Sequence, residues 1–409
     1  MTMTRILPDF RRMRRPWIVI ACAAFIVTLA MGVRQAFGLF LPQMSVSLGI
    51  GRETFGLAMA ISNLVFGLAQ PFIGAMGDRY GAGRVVLAGT VIYVVGLIGA
   101  AWIGSALGLH LTFGFLTGVG LAATTFVVVL GAVGRVVPPE RRGLAFGIVT
   151  AGGSLGQFLV VPAAQMLLTD LGYRLALIVL SGLVALCAVL AIGVAGKPES
   201  GPAEGGPRQS LKEALSEAAG HRSYWLLTAG FFVCGFHIAF IAVHFPAYLD
   251  DMGLGLGIGA TALALVGLFN IFGSYLFGLS GDYWRKNYVL SALYAARGVV
   301  IVVFLVLPLT SFTALAFAAA MGFLWLGTVP LTSGLVSQMF GVRYLSTLYG
   351  IVFLSHQVGS FFGAWAAGYF YDRSGNYDWA WGASIVLAVF AALIHLPIRD
   401  TAVARPQPA

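Results

Sequence analysis

The stretch Gly74–Arg84, with the sequence GAMGDRYGAGR, decides the fold because it is a short polar turn between two long apolar runs. Apolar residues dominate 53–76 and 85–104, and each run is long enough for a helix that crosses a hydrocarbon core about 30 Å thick. A second turn of similar composition, Gly278–Lys286, with the sequence GLSGDYWRK, again separates two apolar runs. The repeating unit of this chain is therefore predicted to be a membrane-spanning helix followed by a short turn.

The composition excludes a water-soluble fold. Of the 409 residues, 59% are hydrophobic and 10% are charged, whereas soluble domains carry roughly a quarter charged residues. The sequence has no phosphate-binding loop, no His and Cys cluster with metal-ligand spacing and no nucleophile motif, so we predict neither an enzyme nor a cofactor or metal site. The net charge of +9 is dispersed over the helix ends, which argues against a nucleic acid partner.

Apolar runs between charged or turn-like residues predict an all-α membrane protein with twelve transmembrane helices, numbered here as spans 1 to 12. The predicted spans are 17–42, 53–76, 85–104, 108–134, 142–168, 173–196, 223–248, 259–280, 288–308, 312–337, 345–370 and 378–398. The first run is too long for a cleaved signal peptide, so we expect it to be retained. The cysteines Cys22, Cys187 and Cys234 all fall inside spans and are expected to be packing residues.

One long polar connection divides the chain into two halves. We predict an N-terminal six-helix bundle over 1–196, a cytoplasmic linker over 197–222 and a C-terminal six-helix bundle over 223–409.

The basic residues predict the orientation. Of the 24 Lys and Arg residues, about 19 fall on the side of the chain termini, Arg34 and Arg297 fall within spans, and Arg52, Arg174 and Arg373 fall on the other side. By the positive-inside rule both termini are cytoplasmic, and we expect a multi-pass protein of the cell inner membrane.

The two halves show signs of an internal repeat, with matching positions about 203 residues apart, as in transporters built from duplicated bundles. The match aligns Arg34 with His237, Asp78 with Asp282, Gly147 with Gly350 and Asp170 with Asp372. Recurrence of Gly and Asp at span ends by chance is the alternative. Two pseudo-symmetric bundles would enclose a central cleft that opens to one side and then to the other.

The polar turns resemble the signature loop of the major facilitator superfamily. The resemblance covers nearly the whole chain and implies a permease of two six-helix bundles, in which the loop Asp and Arg hold the bundles together on the cytoplasmic side. It therefore implies gating roles for Asp78, Arg79, Arg84 and Asp282, whereas a solvated turn is the alternative.

A further resemblance is to the monocarboxylate and oxalate porter branch of this superfamily. It rests on Arg34–Phe40 followed by Leu41-Pro42, on Val329–Leu331 and on Asp372–Tyr377. That branch often has an Arg in span 8, but Asn270–Ser274 of this sequence contains no cation.

The charged residues predict a cationic or neutral cleft, because all 15 Asp and Glu residues fall in loops or at span ends. The absence of a carboxylate at membrane depth disfavours cationic substrates. Arg34 lies within span 1, where the guanidinium fork matches a carboxylate. We predict that Arg34 binds an anionic substrate; snorkelling to the interface or a structural hydrogen bond is the alternative.

Further candidates lie in the second half. His237 and His356 are predicted to bind the anion or to carry a proton, with a structural hydrogen bond as the alternative for each. Asn270 and Gln357 are predicted to donate hydrogen bonds to substrate. Arg297 is predicted either to bind substrate or to brace neighbouring helices through their carbonyl groups.

These features predict a secondary active transporter that moves a small organic anion, such as a monocarboxylate, by alternating access and with protons. We expect it to act as a monomer in the bilayer. Two alternatives are a proton-driven efflux permease for a drug, metalloid or toxic metabolite, and a receptor or scaffold of the same fold that transports nothing.

Overall fold

The structure, a computed structural model, describes residues 10–49, 52–196 and 209–403. Within these ranges the chain forms helices and no strands, and eleven helices are long and apolar enough to cross a membrane. The twelfth span is Leu345–Ser374, a helix of 30 residues with the polar pair His356 and Gln357 near its middle. The prediction of an all-α membrane protein with twelve spans is therefore confirmed.

Spans 1 to 6 form the N-terminal bundle and spans 7 to 12 form the C-terminal bundle. In the N-terminal bundle, span 1 consists of Phe10–Gln35, Phe37–Phe40 and Leu41–Leu48, span 2 of Arg52–Tyr80 and span 3 of Ala82–Trp102. Span 4 consists of Ala106–Leu109, His110–Leu116, Thr117–Thr124 and Phe126–Val136. The turn Pro139–Arg141 precedes the helix Arg142–Leu190, which covers spans 5 and 6. In the C-terminal bundle, span 7 is Arg222–Asp251, span 8 is Leu256–Tyr283 and span 9 is Lys286–Val306. Span 10 consists of Ser311–Phe323 and Thr328–Phe340, span 11 is Leu345–Ser374 and span 12 is Asp378–His395.

A short helix, Leu211–Gly220, precedes span 7 and lies within the predicted linker. It begins with a capping box, in which Ser210 and Glu213 satisfy each other's backbone N–H groups. Residues 197–208 of that linker lie outside the described ranges. The predicted boundaries 1–196, 197–222 and 223–409 therefore stay a prediction.

Because the spans alternate in direction, the described chain ends, the helix before span 7 and the turns between spans 2 and 3 and between spans 8 and 9 lie on one side of the molecule. We call this side the termini face and the other side the opposite face. The C-terminal segment folds back on the termini face, where the backbone N–H of Val403 donates to the carbonyl of Met339.

Close helix contacts repeat in the two bundles. Spans 1 and 5 meet at Gly156, where a Cβ atom would lie 2.0 Å from the carbonyl oxygen of Thr28. Spans 7 and 11 meet in the same way at Gly359, where a Cβ atom would lie 2.0 Å from the carbonyl oxygen of Phe232. Small residues at these crossings let the backbones approach closely, as is common between helices in lipid. The equivalent pairs 1 with 5 and 7 with 11 confirm the pseudo-symmetry.

Besides span 1, whose α-helix ends at Gln35 and is followed by the short helix Phe37–Phe40, two spans are interrupted. Span 4 breaks at Thr125, which has φ −117° and ψ −165°, and span 10 breaks between Phe323 and Thr328. Neither break was predicted. A broken helix frees backbone carbonyl and N–H groups inside the membrane, and these groups need partners from neighbouring spans.

Candidate functional site

Arg34 lies at the end of the first helix, one residue before its last residue, Gln35. Its Nη2 donates a hydrogen bond of 2.6 Å to Oδ1 of Asn63 on span 2, and its guanidinium lies 5.5 Å from the centre of the Phe66 ring. Arg34 is half-buried and Asn63 is exposed. Its partner is therefore a neutral amide, and the ion pairs found among the described residues do not include it.

Aromatic rings connect this arginine to the C-terminal bundle. The ring of Phe66 packs edge-on against Phe353 of span 11, with 5.7 Å between their centres. Phe126 of span 4 lies 6.3 Å from the same Phe353 ring. These three rings come from both bundles, so Arg34 is adjacent to the junction between the two bundles.

His356 continues the same ring contacts. Its imidazole stacks on Phe353 at 5.2 Å, and Nδ1 lies 3.0 Å from Oε1 of Gln357. Gln357 itself faces span 2, because a Cβ atom on Gly67 would lie 2.7 Å from its Cβ. The structure therefore brings the predicted residues Arg34, His356 and Gln357 to one junction between the bundles.

His237 lies elsewhere. It is fully buried, and its Nε2 lies 2.9 Å from the carbonyl oxygen of Ser384 on span 12. This contact is within the C-terminal bundle and matches the structural alternative for this residue. Its repeat relation to Arg34 does not give it an equivalent environment.

Asn270 connects three spans. Its Nδ2 donates to Oγ of Ser154 on span 5 at 2.7 Å, and its Oδ1 accepts from Oγ of Ser274 and from the backbone N–H of Leu326. Leu326 lies in the break of span 10. Asn270 therefore uses its hydrogen bonds to link the two bundles and to satisfy the broken helix, while its predicted contact with substrate stays a prediction.

Arg297 is fully buried inside the C-terminal bundle. Its Nε and Nη2 donate to the carbonyl of Leu324 at 3.1 and 2.7 Å, and Nη2 also donates to the carbonyl of Trp325. Both acceptors lie in the break of span 10. These contacts correspond to the bracing alternative: the guanidinium satisfies carbonyl groups that the break leaves without helical partners.

Asp78, near the end of span 2, contacts the C-terminal bundle at the termini face. We call this set of contacts, and its counterpart at Asp282, a gate, although the gating role stays a prediction. Oδ2 of Asp78 accepts from the backbone N–H and the hydroxyl of Thr347, at 2.6 and 2.7 Å, and its Oδ1 accepts from the N–H of Ser346 at 3.3 Å. Those N–H groups belong to the first turn of span 11. A carboxylate at a helix N-terminus forms charge-assisted bonds that also use the helix dipole.

Asp282 forms the equivalent gate at the end of span 8. Its two oxygens accept from the backbone N–H groups of Gly143 and Leu144, at 2.7 and 2.8 Å, in the first turn of span 5. The two carboxylates therefore bind the opposite bundle in pseudo-symmetric ways. Both sets of contacts are formed in this structure.

The family assignment rests on this arrangement of paired bundles and gates together with the sequence comparisons. The family model of the Major Facilitator Superfamily matches residues 20–350. The chain belongs to the major facilitator superfamily. It is a transporter and not an enzyme.

Curated relatives of this superfamily member include monocarboxylate transporters. Monocarboxylate transporter 13 of Rattus norvegicus is 27% identical over 93% of this chain and 89% of its own length. An uncharacterized MFS-type transporter, YcxA of Bacillus subtilis, is 24% identical over 94% of this chain and 95% of its own. The resemblance to the monocarboxylate branch is therefore confirmed at modest identity.

Solved transporters share the fold. FucP, a major facilitator superfamily transporter in the outward conformation, superimposes with a TM-score of 0.74 at 16% identity, over 93% of this chain and 98% of that one. The proton:xylose symporter XylE gives the same TM-score at 15% identity, over 93% and 95% of the two chains.

One residue that contacts Asp78 in this major facilitator was missed in the sequence. Arg135, in the last turn of span 4, forms the salt bridge to Asp78, with 3.0 Å between Nη1 and Oδ1. Arg79 instead lies 5.2 Å from the ring of Tyr80, and Arg84 is exposed, so the gating roles of these two arginines stay predictions. Because the termini-face ends of spans 2 and 4 are brought together by the fold, a basic residue in the last turn of span 4 was the available signal.

Proposed function

We propose that this protein carries a small monocarboxylate across the inner membrane together with a proton, by alternating access, with Arg34 as the site that binds the carboxylate. The observation that carries the proposal is the guanidinium of Arg34, which is half-buried at the junction of the bundles and bonded to the neutral Asn63 instead of a carboxylate. Its remaining donors suit the two oxygens of a carboxylate.

The surroundings of Arg34 suit a small substrate with an apolar end. The carboxylate would meet the guanidinium and the amide of Asn63, and the rest of the molecule would pack against Phe66. The similarity to proteins named monocarboxylate transporters supports the same substrate class.

The distribution of basic residues supports a cytoplasmic termini face. The state described here, with both gates closed at that face, then corresponds to an outward-facing state. Release of substrate to the cytoplasm would require the bonds of Asp78 and Asp282 to open.

Of the two candidate histidines, His356 suits proton coupling. It lies at the junction between the bundles and contacts Phe353, which contacts Phe66, the ring beside the Arg34 guanidinium. A proton on His356 attracts an anion held at Arg34, and the anion favours the proton in return, which is the linkage that a symporter needs.

The experiment is uptake into proteoliposomes of radiolabelled acetate, lactate and pyruvate, with and without an inward proton gradient. Wild type is expected to accumulate at least one of them, and faster with the gradient. Arg34→Gln is expected to lose more than about tenfold in uptake, because hydrogen bonds to charged groups contribute about 1.5–3 kcal/mol. Arg174→Gln, which removes a cation that contacts Tyr173 in span 6, is the matched control.

Unchanged uptake in Arg34→Gln would remove this residue from the site. Absence of monocarboxylate uptake in the wild type, combined with greater drug or metalloid sensitivity of a deletion strain, would support the efflux alternative. A protein that passes no solute in either assay would support the receptor alternative.

A further inference from the structure

A second polar cluster surrounds Cys234 inside the C-terminal bundle. This cysteine of span 7 is fully buried, and its Sγ lies 3.0 Å from Oγ1 of Thr328 on span 10. Nη2 of Arg297 on span 9 lies 3.7 Å from the same sulfur. The thiol is therefore in contact with a buried guanidinium, although the sequence suggested a packing role.

Arg297 has no carboxylate partner among the described residues, where the ion pairs are Arg135 with Asp78 and Arg285 with Asp400. Its Nη1 is buried and makes no hydrogen bond. An isolated buried cation is costly, and a neighbouring anion reduces that cost. Of the groups that touch this guanidinium, the thiol of Cys234 is the one that becomes an anion most readily near neutral pH.

His356 adjoins the same sulfur. Its ring lies 4.9 Å from that of Phe231, and a Cβ atom on Gly235, the residue after Cys234, would lie 1.8 Å from the carbonyl oxygen of His356. Its Nδ1 faces Gln357, and its buried Nε2 has no hydrogen-bond partner among the described residues. The imidazole of His356 also stacks on the ring of Phe353, which contacts Phe66, and Phe66 contacts Arg34. Cys234 therefore lies between a permanent cation and the histidine assigned above to proton coupling.

The other titratable groups around the thiol are Tyr294 of span 9, whose ring lies 5.3 Å from the Arg297 guanidinium and stacks on His395 of span 12, and Tyr349 of span 11. The hydroxyl groups of both tyrosines are buried and unpartnered. His237 follows Cys234 by three residues on span 7, and its Nε2 lies 2.9 Å from the carbonyl oxygen of Ser384. None of these groups is a carboxylate.

We propose that Cys234 is the proton-coupling partner of His356: the thiol and the imidazole share one transported proton, and Arg297 stabilises the thiolate. This inference rests on the proposed function. With the proton bound, the three groups carry a net charge of +1, either as thiol and neutral imidazole or as thiolate and imidazolium beside the guanidinium. Loss of the proton leaves thiolate, neutral imidazole and guanidinium, with no net charge.

The change in charge supplies the coupling. The protonated cluster attracts an anion across the Phe353 and Phe66 rings, and the deprotonated cluster does not. Without the thiolate, His356 would have to bind a proton beside the uncompensated charge of Arg297. A thiolate at Cys234 offsets this charge.

The main experiment compares Cys234→Ser and Cys234→Asp with the wild type in net uptake across a pH series. Ser keeps a hydroxyl near Thr328 but forms no anion, so the midpoint of uptake is expected to move to lower pH by about one unit or more. Asp restores an anion and is expected to keep uptake near the wild-type midpoint. Cys187→Ser is the control, because Cys187 donates to the carbonyl of Ile26 and contacts no cation in the described structure.

Two further readouts separate this role from a structural one. Exchange of labelled for unlabelled monocarboxylate requires no net proton movement, so Cys234→Ser is expected to keep the exchange rate within about twofold of the wild type while net uptake falls by about tenfold at neutral pH. In purified protein at a pH above the midpoint of uptake, where the cluster has lost its proton, the ultraviolet absorbance band of a thiolate is expected in the wild type and in Cys187→Ser and is expected to be lost in Cys234→Ser.

An unchanged pH midpoint in Cys234→Ser, or equal loss of exchange and net uptake, would overturn the proposal, as would the absence of a thiolate band in the wild type. If the wild type carries no monocarboxylate, the proposed function fails and the coupling role fails with it. The absorbance measurement would still decide whether Cys234 is a thiolate, so the two failures remain distinguishable.

Discussion

Asn270 of span 8 donates a hydrogen bond of 2.7 Å to the hydroxyl of Ser154 on span 5, and this buried bond joins the two bundles. The same amide accepts from the backbone N–H of Leu326 in the break of span 10. Movement of one bundle against the other would break the first bond while the second stays within the C-terminal bundle. Asn270 therefore connects the junction between the bundles with the broken helix behind it.

Ser154→Ala is expected to shift the protein towards the state that is open at the termini face. Loss of one ordinary hydrogen bond costs about 1 kcal/mol, which corresponds to a population change of about fivefold. The measurement is the distance distribution between spin labels at Tyr80 and Tyr283, two exposed positions on the termini face of opposite bundles. Ser280→Ala is the control, because that hydroxyl bonds within its own helix; an equal shift in both variants would contradict the prediction.

The two gate carboxylates are expected to hold the termini face closed. Asp78→Asn removes the charge that binds Arg135 and the first turn of span 11, and Asp282→Asn does the same for span 5. Each variant is expected to increase the population open at the termini face by about tenfold or more, because hydrogen bonds to charged groups contribute about 1.5–3 kcal/mol. The same spin-label pair measures this change.

Asp170→Asn serves as the control for these gate variants, because Asp170 is an exposed carboxylate at the far end of span 5. A closed population that stays at the wild-type level in both gate variants would show that the carboxylates do not set the equilibrium. A larger effect at Asp78 than at Asp282 is expected, since only Asp78 also has a salt bridge.

Gly74, which packs against the opposite bundle near the termini face, is expected to tolerate no side chain. A Cβ atom on Gly74 would lie 2.4 Å from the carbonyl oxygen of Ser346 in the opposite bundle. Gly74→Ala should therefore destabilise the closed face by about 1–3 kcal/mol. The rate at which a water-soluble maleimide modifies a cysteine at Val342, which packs near Gly134, should rise accordingly. Gly182→Ala, with open space around it, should leave that rate unchanged.

The sequence was informative where function required a repeated pattern. The turn around Asp78 and its counterpart around Asp282 predicted both the twelve-span architecture and two residues that contact the opposite bundle. The pairing of Asp78 with Arg135 could not be predicted in the same way. Arg79 is the neighbour in sequence, but consecutive residues on a helix point in different directions, and the partner comes from span 4.

The burial of polar residues was harder to predict. His237 and His356 are both histidines within apolar runs, yet His237 faces span 12 and His356 lies at the junction of the bundles. Helical periodicity cannot distinguish these positions when the helix is apolar on every face. The role of Arg297 could not be predicted because it depends on the break in span 10. That break depends on tertiary contacts, such as the bond from Leu326 to Asn270, and not on a Gly or Pro alone.

The two membrane arginines are expected to differ in how much each contributes to stability. Arg297→Gln removes the donors that satisfy the carbonyls of Leu324 and Trp325, so the free energy of unfolding should fall by about 2 kcal/mol or more. Arg34→Gln removes one hydrogen bond to the exposed Asn63 and should change it by less than about 1 kcal/mol, while abolishing uptake. Thermal unfolding in detergent, followed by tryptophan fluorescence, measures both. An Arg297→Gln protein as stable as the wild type would contradict the bracing role, because its bonds to the broken helix would then contribute little to folding.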